Sequence, residues 1–117
     1  MTLDTPLKHV KTGKELKELV SSKKNVMVCC GRMGPMCLPV YDVMDEFEKS
    51  GDYAHVEFRD MLFDDPESAA IRQLPECANF RGLPFTVYWK DGKVVKATSS
   101  IQNKDQVQAI LDSSFSK

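Results

Sequence analysis

Val26-Met27-Val28-Cys29-Cys30 is five consecutive apolar residues, and it constrains the fold more than any other stretch. A strand solvated on one face alternates apolar with polar. An unbroken apolar run of this length fits a strand covered on both faces, as in a parallel sheet. Helical patterns flank it. Before it, Thr12-Gly13-Lys14-Glu15 has capping-box spacing, and Leu16, Leu19 and Val20 follow at helical intervals. Lys23-Lys24-Asn25 closes that helix. After it, residues 31–34 read as a loop, and Pro35 suits the first turn of a second helix. Met36, Val40, Val43, Met44 and Phe47 form its apolar stripe; Asp42, Asp45, Glu46, Glu48 and Lys49 face away. Pro39 inside the stripe predicts a kink or the true start of the helix.

The rest of the chain continues the alternation. Leu7 to Val10 is a short strand candidate, and Ala54 to Phe58 reads as another. Asp64-Asp65-Pro66-Glu67 is an N-cap cluster leading into a helix over 68–74. Residues 85–89 and 94–97 are strands joined by an Asp91-Gly92 turn. A last amphipathic helix runs from Asn103 or Lys104 to Phe115. The order is βαβαβαββα. That predicts an α/β fold: a central mixed sheet with helices on both faces, its parallel core extended by an antiparallel hairpin.

At 117 residues the chain is read as one domain, 1–117. The formal net charge is −1 and no Lys/Arg run exceeds a pair, which argues against nucleic acid as a partner. The apolar run at 26–30 is far too short to span a bilayer. Residues 1–6 have neither the basic head nor the apolar core of a secretory signal, so a cytoplasmic location is expected. Four cysteines, Cys29, Cys30, Cys37 and Cys77, include no C-x-x-C pair, and in a reducing compartment would be mostly thiols.

Met33-Gly34-Pro35-Met36 at the start of the second helix, with Arg81-Gly82-Leu83-Pro84 before the hairpin, resembles the thioredoxin family. The resemblance covers nearly the whole chain. It implies a thioredoxin-like fold, a cis-proline at Pro84, and a groove beside Leu83 and Pro84 where protein or peptide thiols and disulfides would lie. It also implies a role in redox homeostasis. The departures fall on the chemistry. Met33 and Met36 occupy the positions of the family's two redox cysteines. Met27 stands in place of its buried acid, and Cys29 and Arg32 in place of two tryptophans. The segment from Phe58 to Arg81 is longer than usual and contains Cys77.

A thioether has no thiolate form and makes no mixed disulfide, so Met33 and Met36 are inert in that mechanism. Three readings remain open. In the first, a displaced thiol centre uses Cys37, in the first turns of the helix, with Cys30 at the end of the buried strand. Arg32 and the helix N-terminus would favour a thiolate at Cys37, which the stripe puts at a half-exposed boundary. Cys37 is then expected to alkylate faster than Cys29 and Cys77, which read as small buried hydrophobes. In the second, the groove survives without chemistry: Leu83 and Pro84 offer a backbone edge, and Met33, Pro35 and Met36 an adaptable apolar rim. In the third, Met27, Cys29, Cys30, Met33, Met36 and Cys37 hold Cu(I). His9 and His55 read as strand or surface positions, not ligands, and Phe85 and Trp89 as hairpin core. No P-loop, Rossmann fingerprint or Ser/His/Asp order is present, and outside the Cu(I) reading neither a cofactor nor a resident metal is expected.

Overall fold

The computed structural model describes residues 3–115. Met1 and Thr2, part of the leader reading above, lie outside them. Nine elements follow in the expected order: β1 (Lys8–Val10), α1 (Gly13–Ser22), β2 (Asn25–Gly31), α2 (Leu38–Ser50), β3 (Glu57–Leu62), α3 (Ala69–Arg72), β4 (Phe85–Lys90), β5 (Lys93–Ser99) and α4 (Lys104–Ser114). Single 3-10 turns at Pro66–Ser68 and Pro75–Cys77 bracket α3. The sheet order is β1-β3-β2-β4-β5. The pairs β1/β3 and β3/β2 are parallel; β2/β4 and β4/β5 are antiparallel.

The local signals act as their chemistry dictates. Thr12 caps α1 by accepting the Glu15 N–H at 3.0 Å. Asn103 and Gln106 form a reciprocal capping box on α4. Asp91 and Gly92 both adopt positive φ, 53° and 81°, as the two-residue hairpin turn requires. Two expectations shift. The third strand lies at 57–62 rather than 54–58, because residues 52–55 form a turn. In the acidic cluster Asp65 alone caps the 3-10 turn, while Asp64 bonds Arg32.

Strand β2 is buried along its whole length, and its alternating side chains feed two separate cores. Met27 and Cys29 face the layer of α2 and α4, with Val40, Tyr41, Met44, Val107 and Leu111. Val26, Val28 and Cys30 face the layer of α1 and α3, with Leu16, Ile71 and Trp89. The register also sets a row of polar side chains across all five strands at one level: His9, Asp60, Cys29, Thr86 and Thr98. Cross-strand partners share a face, so this row lies on the α2/α4 side with Cys29. Among the described residues no helix is long and apolar enough to cross a membrane.

Candidate functional site

The end of β2, the start of α2 and the loop before β4 converge on Gly31. A β-carbon built there would lie 2.7 Å from Cys37 Sγ, 2.8 Å from the Tyr41 hydroxyl and 3.0 Å from Pro84 Cβ. Only glycine leaves room for all three. The approach is held by hydrogen bonds on each side. The Tyr41 hydroxyl donates to the Arg32 carbonyl at 3.2 Å, and the Arg32 N–H donates to Cys37 Sγ at 3.4 Å. On the far side the Ser100 N–H reaches the carbonyls of Gly82, at 3.2 Å, and Pro84, at 3.1 Å. The Leu83–Pro84 peptide bond is cis.

The second helix starts later than the Gly34-Pro35 signal suggests. Residues 34–37 make a single turn, with the Cys37 and Leu38 N–H groups both donating to the Gly34 carbonyl. The α-helix proper begins at Leu38, with Pro39 in its first turn and Cys37 as N-cap. Proline has no N–H to offer and is tolerated only where the helix needs none, so Pro39 marks the start.

This moves the cysteines. Cys37 is 2% exposed, buried in the α2/α4 core instead of half-exposed at the boundary. Cys30 faces the opposite layer, with Cys77. The sheet therefore separates the Cys30 and Cys37 side chains, and the β2 thiol on Cys37's side is Cys29. All four cysteines are free and buried. Burial pushes the Cys30 thiol up to about 12 and Cys77 to about 11. Cys29 is raised well above the ordinary value, again by burial; Thr86 opposes this from the neighbouring strand without a hydrogen bond of normal geometry. At pH 8 a thiol raised to about 11 is thiolate in about one molecule in a thousand. Iodoacetamide labelling of the folded protein is accordingly expected to be slow at Cys29, Cys30 and Cys77, and to become fast only in denaturant. Rapid labelling of any of the three under native conditions would contradict the burial described.

What the site presents outward is apolar. Met33 and Met36 are 44% and 43% exposed, and Leu38 is exposed beside them. Gly34 and Leu83 are half-buried, Pro35 is exposed, and Pro84 is buried. Ile101, also exposed, follows Ser100, whose backbone holds the Pro84 loop. Next to this rim, Arg32 makes a two-toothed bond to Asp64, with separations of 2.8 and 2.9 Å. Arg32 and Arg72 also both lie over the ring of Phe63, at 5.5 and 5.6 Å.

The six sulfur residues proposed for Cu(I) do not gather. Two are on the surface, Cys30 is in one core, and Met27, Cys29 and Cys37 are in the other. Among the described residues no group of three His, Cys, Asp or Glu side chains could hold a metal ion.

One functional-looking cluster escapes the sequence patterns. Asp60 is wholly buried, and its two carboxylate oxygens accept from the Thr5 hydroxyl and bond His9 Nδ1. Burial raises its pKa, against the opposing pull of Thr5 and His9. His9 thus has a carboxylate partner despite reading as a plain strand position. The one available signal was the alternation of β3, which puts Asp60 on the same face as Phe58.

No family model and no curated protein matches the sequence. Solved structures do. A thioredoxin from Plasmodium falciparum is 18% identical over 93% of this chain and 100% of its own, with a TM-score of 0.70. Malassezia sympodialis thioredoxin is 14% identical over 97% and 94%, TM-score 0.74. Mitochondrial thioredoxin 3 from Saccharomyces cerevisiae is 19% identical over 91% and 94%, TM-score 0.71. At such identities the likeness speaks for architecture: the chain has a thioredoxin fold.

Proposed function

We propose that the chain is a thioredoxin-fold polypeptide-binding module, docking an extended segment beside Leu83 and Pro84 without exchanging disulfides with it. The observation carrying this reading is what faces solvent at the site: two thioethers, Met33 and Met36, while every thiol is buried. An unbranched thioether adapts its shape to varied apolar side chains, and the loop backbone beside Pro84 supplies an edge for strand-like pairing. The expected partner is a protein or peptide with an apolar extended segment.

The reading as a redox protein with a displaced thiol centre keeps one favouring observation. Cys37 stands at the N-cap position of α2, receives the Arg32 N–H, and adjoins Pro84 across Gly31. Such a centre would have to open before it reacts.

Two measurements separate the readings. Insulin reduction with thioredoxin reductase is expected to give no turnover, and thiol counting after mild oxidation four free thiols. Loss of two thiols, with Cys37 in the bond, would favour the displaced centre. A peptide array is expected to give binders with apolar extended cores, lost in a Met36→Glu variant that keeps its fold. Binding that ignores this variant would remove the Met rim from the site.

A further inference from the structure

The sulfur atoms of this chain fall into two groups. Met27, Met44 and Met61 are buried, as are all four cysteines. Among the described residues only Met33 and Met36 bring sulfur-bearing side chains to the surface, and both belong to the rim of the site. A thiol reacts with peroxides as its thiolate, and burial holds Cys29, Cys30 and Cys77 away from that form. Cys37 is packed into the α2/α4 core. A thioether needs no deprotonation, because its lone pair is free at every pH. An oxidant arriving from solvent therefore meets Met33 and Met36 before any other sulfur.

We propose that Met33 and Met36 are a paired sulfoxidation site, and that a hydroperoxide switches off polypeptide binding by oxidising them. This regulation rests on the polypeptide-binding reading of the same groove. In the forward step the sulfur lone pair attacks one peroxide oxygen. An S–O bond forms as the O–O bond breaks, and the sulfur gives up two electrons. The other oxygen of hydrogen peroxide leaves as water, taking the proton of the first. The return step draws two electrons from a dithiol through a sulfoxide reductase and releases the oxygen as water. Oxidation turns a flexible apolar side chain into a polar one with a strong acceptor, which a docked apolar segment would bury without a partner. The frame of the site is not touched. Its hydrogen bonds run through the Gly34 carbonyl, the Tyr41 hydroxyl, Cys37 Sγ and the Ser100 N–H, and none uses either thioether. Binding is therefore lost while the fold is kept.

Hydrogen peroxide is the oxidant to use, and peptide mapping by mass reads its product residue by residue in the full-length protein. One oxygen each is expected at Met33 and Met36, with Met27, Met44 and Met61 unmodified and all four thiols still free. The rate is expected to be flat from about pH 6 to about pH 9, where thiol oxidation would climb. First oxidation at a cysteine or at a buried methionine would overturn the assignment. The tightest binder from the peptide array, labelled with fluorescein, then reads the groove by anisotropy. Its affinity for the oxidised protein is expected to fall about tenfold and to return after treatment with methionine sulfoxide reductases for both epimers. In M33L/M36L the affinity, whatever its starting value, is expected not to respond to peroxide. Binding that survives complete sulfoxidation, a loss that the reductases do not reverse, or a loss that persists in M33L/M36L would overturn the switch and leave the groove reading standing. If the reduced protein binds no peptide, the groove reading falls and the switch with it.

Discussion

Gly31→Ala is expected to destabilise the protein by about 1–3 kcal/mol, the usual cost of forcing one extra carbon into a filled core. At about 4 °C per kcal/mol for a domain of this size, the melting midpoint should fall by roughly 4–12 °C. The cost comes from lost space and not from lost backbone freedom. The new methyl group would meet Cys37 Sγ, the Tyr41 hydroxyl and Pro84 Cβ, all inside contact distance and from three directions. None of the three can yield cheaply. Cys37 is the N-cap of α2, Tyr41 is hydrogen-bonded to the Arg32 carbonyl, and Pro84 is held through its carbonyl by Ser100. Cys37→Ala removes the nearest obstacle. The double variant should therefore cost less than the two single changes added together, a coupling that urea denaturation of all four proteins measures. Strict additivity, or an unchanged stability for Gly31→Ala, would mean the convergence is slack. The same change should weaken peptide binding beyond its effect on folding, because it displaces Pro84.

The fold was readable because its strongest signals are local. An apolar run, a capping box and an Asp-Gly turn each act over a few residues and formed the element they predicted; of the two prolines, Pro39 and not Pro35 lies in the first turn of α2. The site was readable in part, for the same reason. Gly34-Pro35 and Gly82-Leu83-Pro84 located the two loops that meet at Gly31. What the motifs could not give is depth. Whether Cys37 is at the boundary or buried depends on where α2 starts, and Pro39 moves that start four residues past Gly34. Whether Cys30 meets Cys37 depends on which face of β2 each thiol borders, a matter of strand register with period two. The polar row at His9, Asp60 and Cys29 is harder still. It joins residues 20 to 51 positions apart, and only the parallel pairing of β1, β3 and β2 aligns them.

That row supports the other large effect. Asp60→Ala is expected to cost about 1–3 kcal/mol, because it strands two polar groups that now share one buried carboxylate. Those groups are the Thr5 hydroxyl and His9 Nδ1. Thr5 lies between Leu3 and Leu7, both buried in the α2/α4 core. The loss should therefore loosen the N-terminal segment first, as faster amide exchange over residues 3–10. Asp60→Asn should behave differently. It keeps an acceptor for Thr5 and a polar partner for His9, and it removes a charge that burial makes costly. The sign of the pH dependence follows from the raised pKa. The native state holds the Asp60 proton more tightly than the unfolded chain does. Its contribution is therefore most favourable below the ordinary value of 3.8, and is lost as pH rises through the elevated native pKa. Most carboxylates behave in the opposite way. The stability of the parent relative to Asp60→Asn should thus fall with rising pH across that window, then level off. Lys11 and Asp65 line the cavity beside Asp60, and Cys29 and Tyr41 lie on its sheet face. All four are common to both proteins, so the difference between the two curves reports Asp60 together with His9, which the substitution deprives of its carboxylate partner. A difference that instead rises with pH would mean that Thr5 and His9 stabilise the carboxylate by more than burial penalises it.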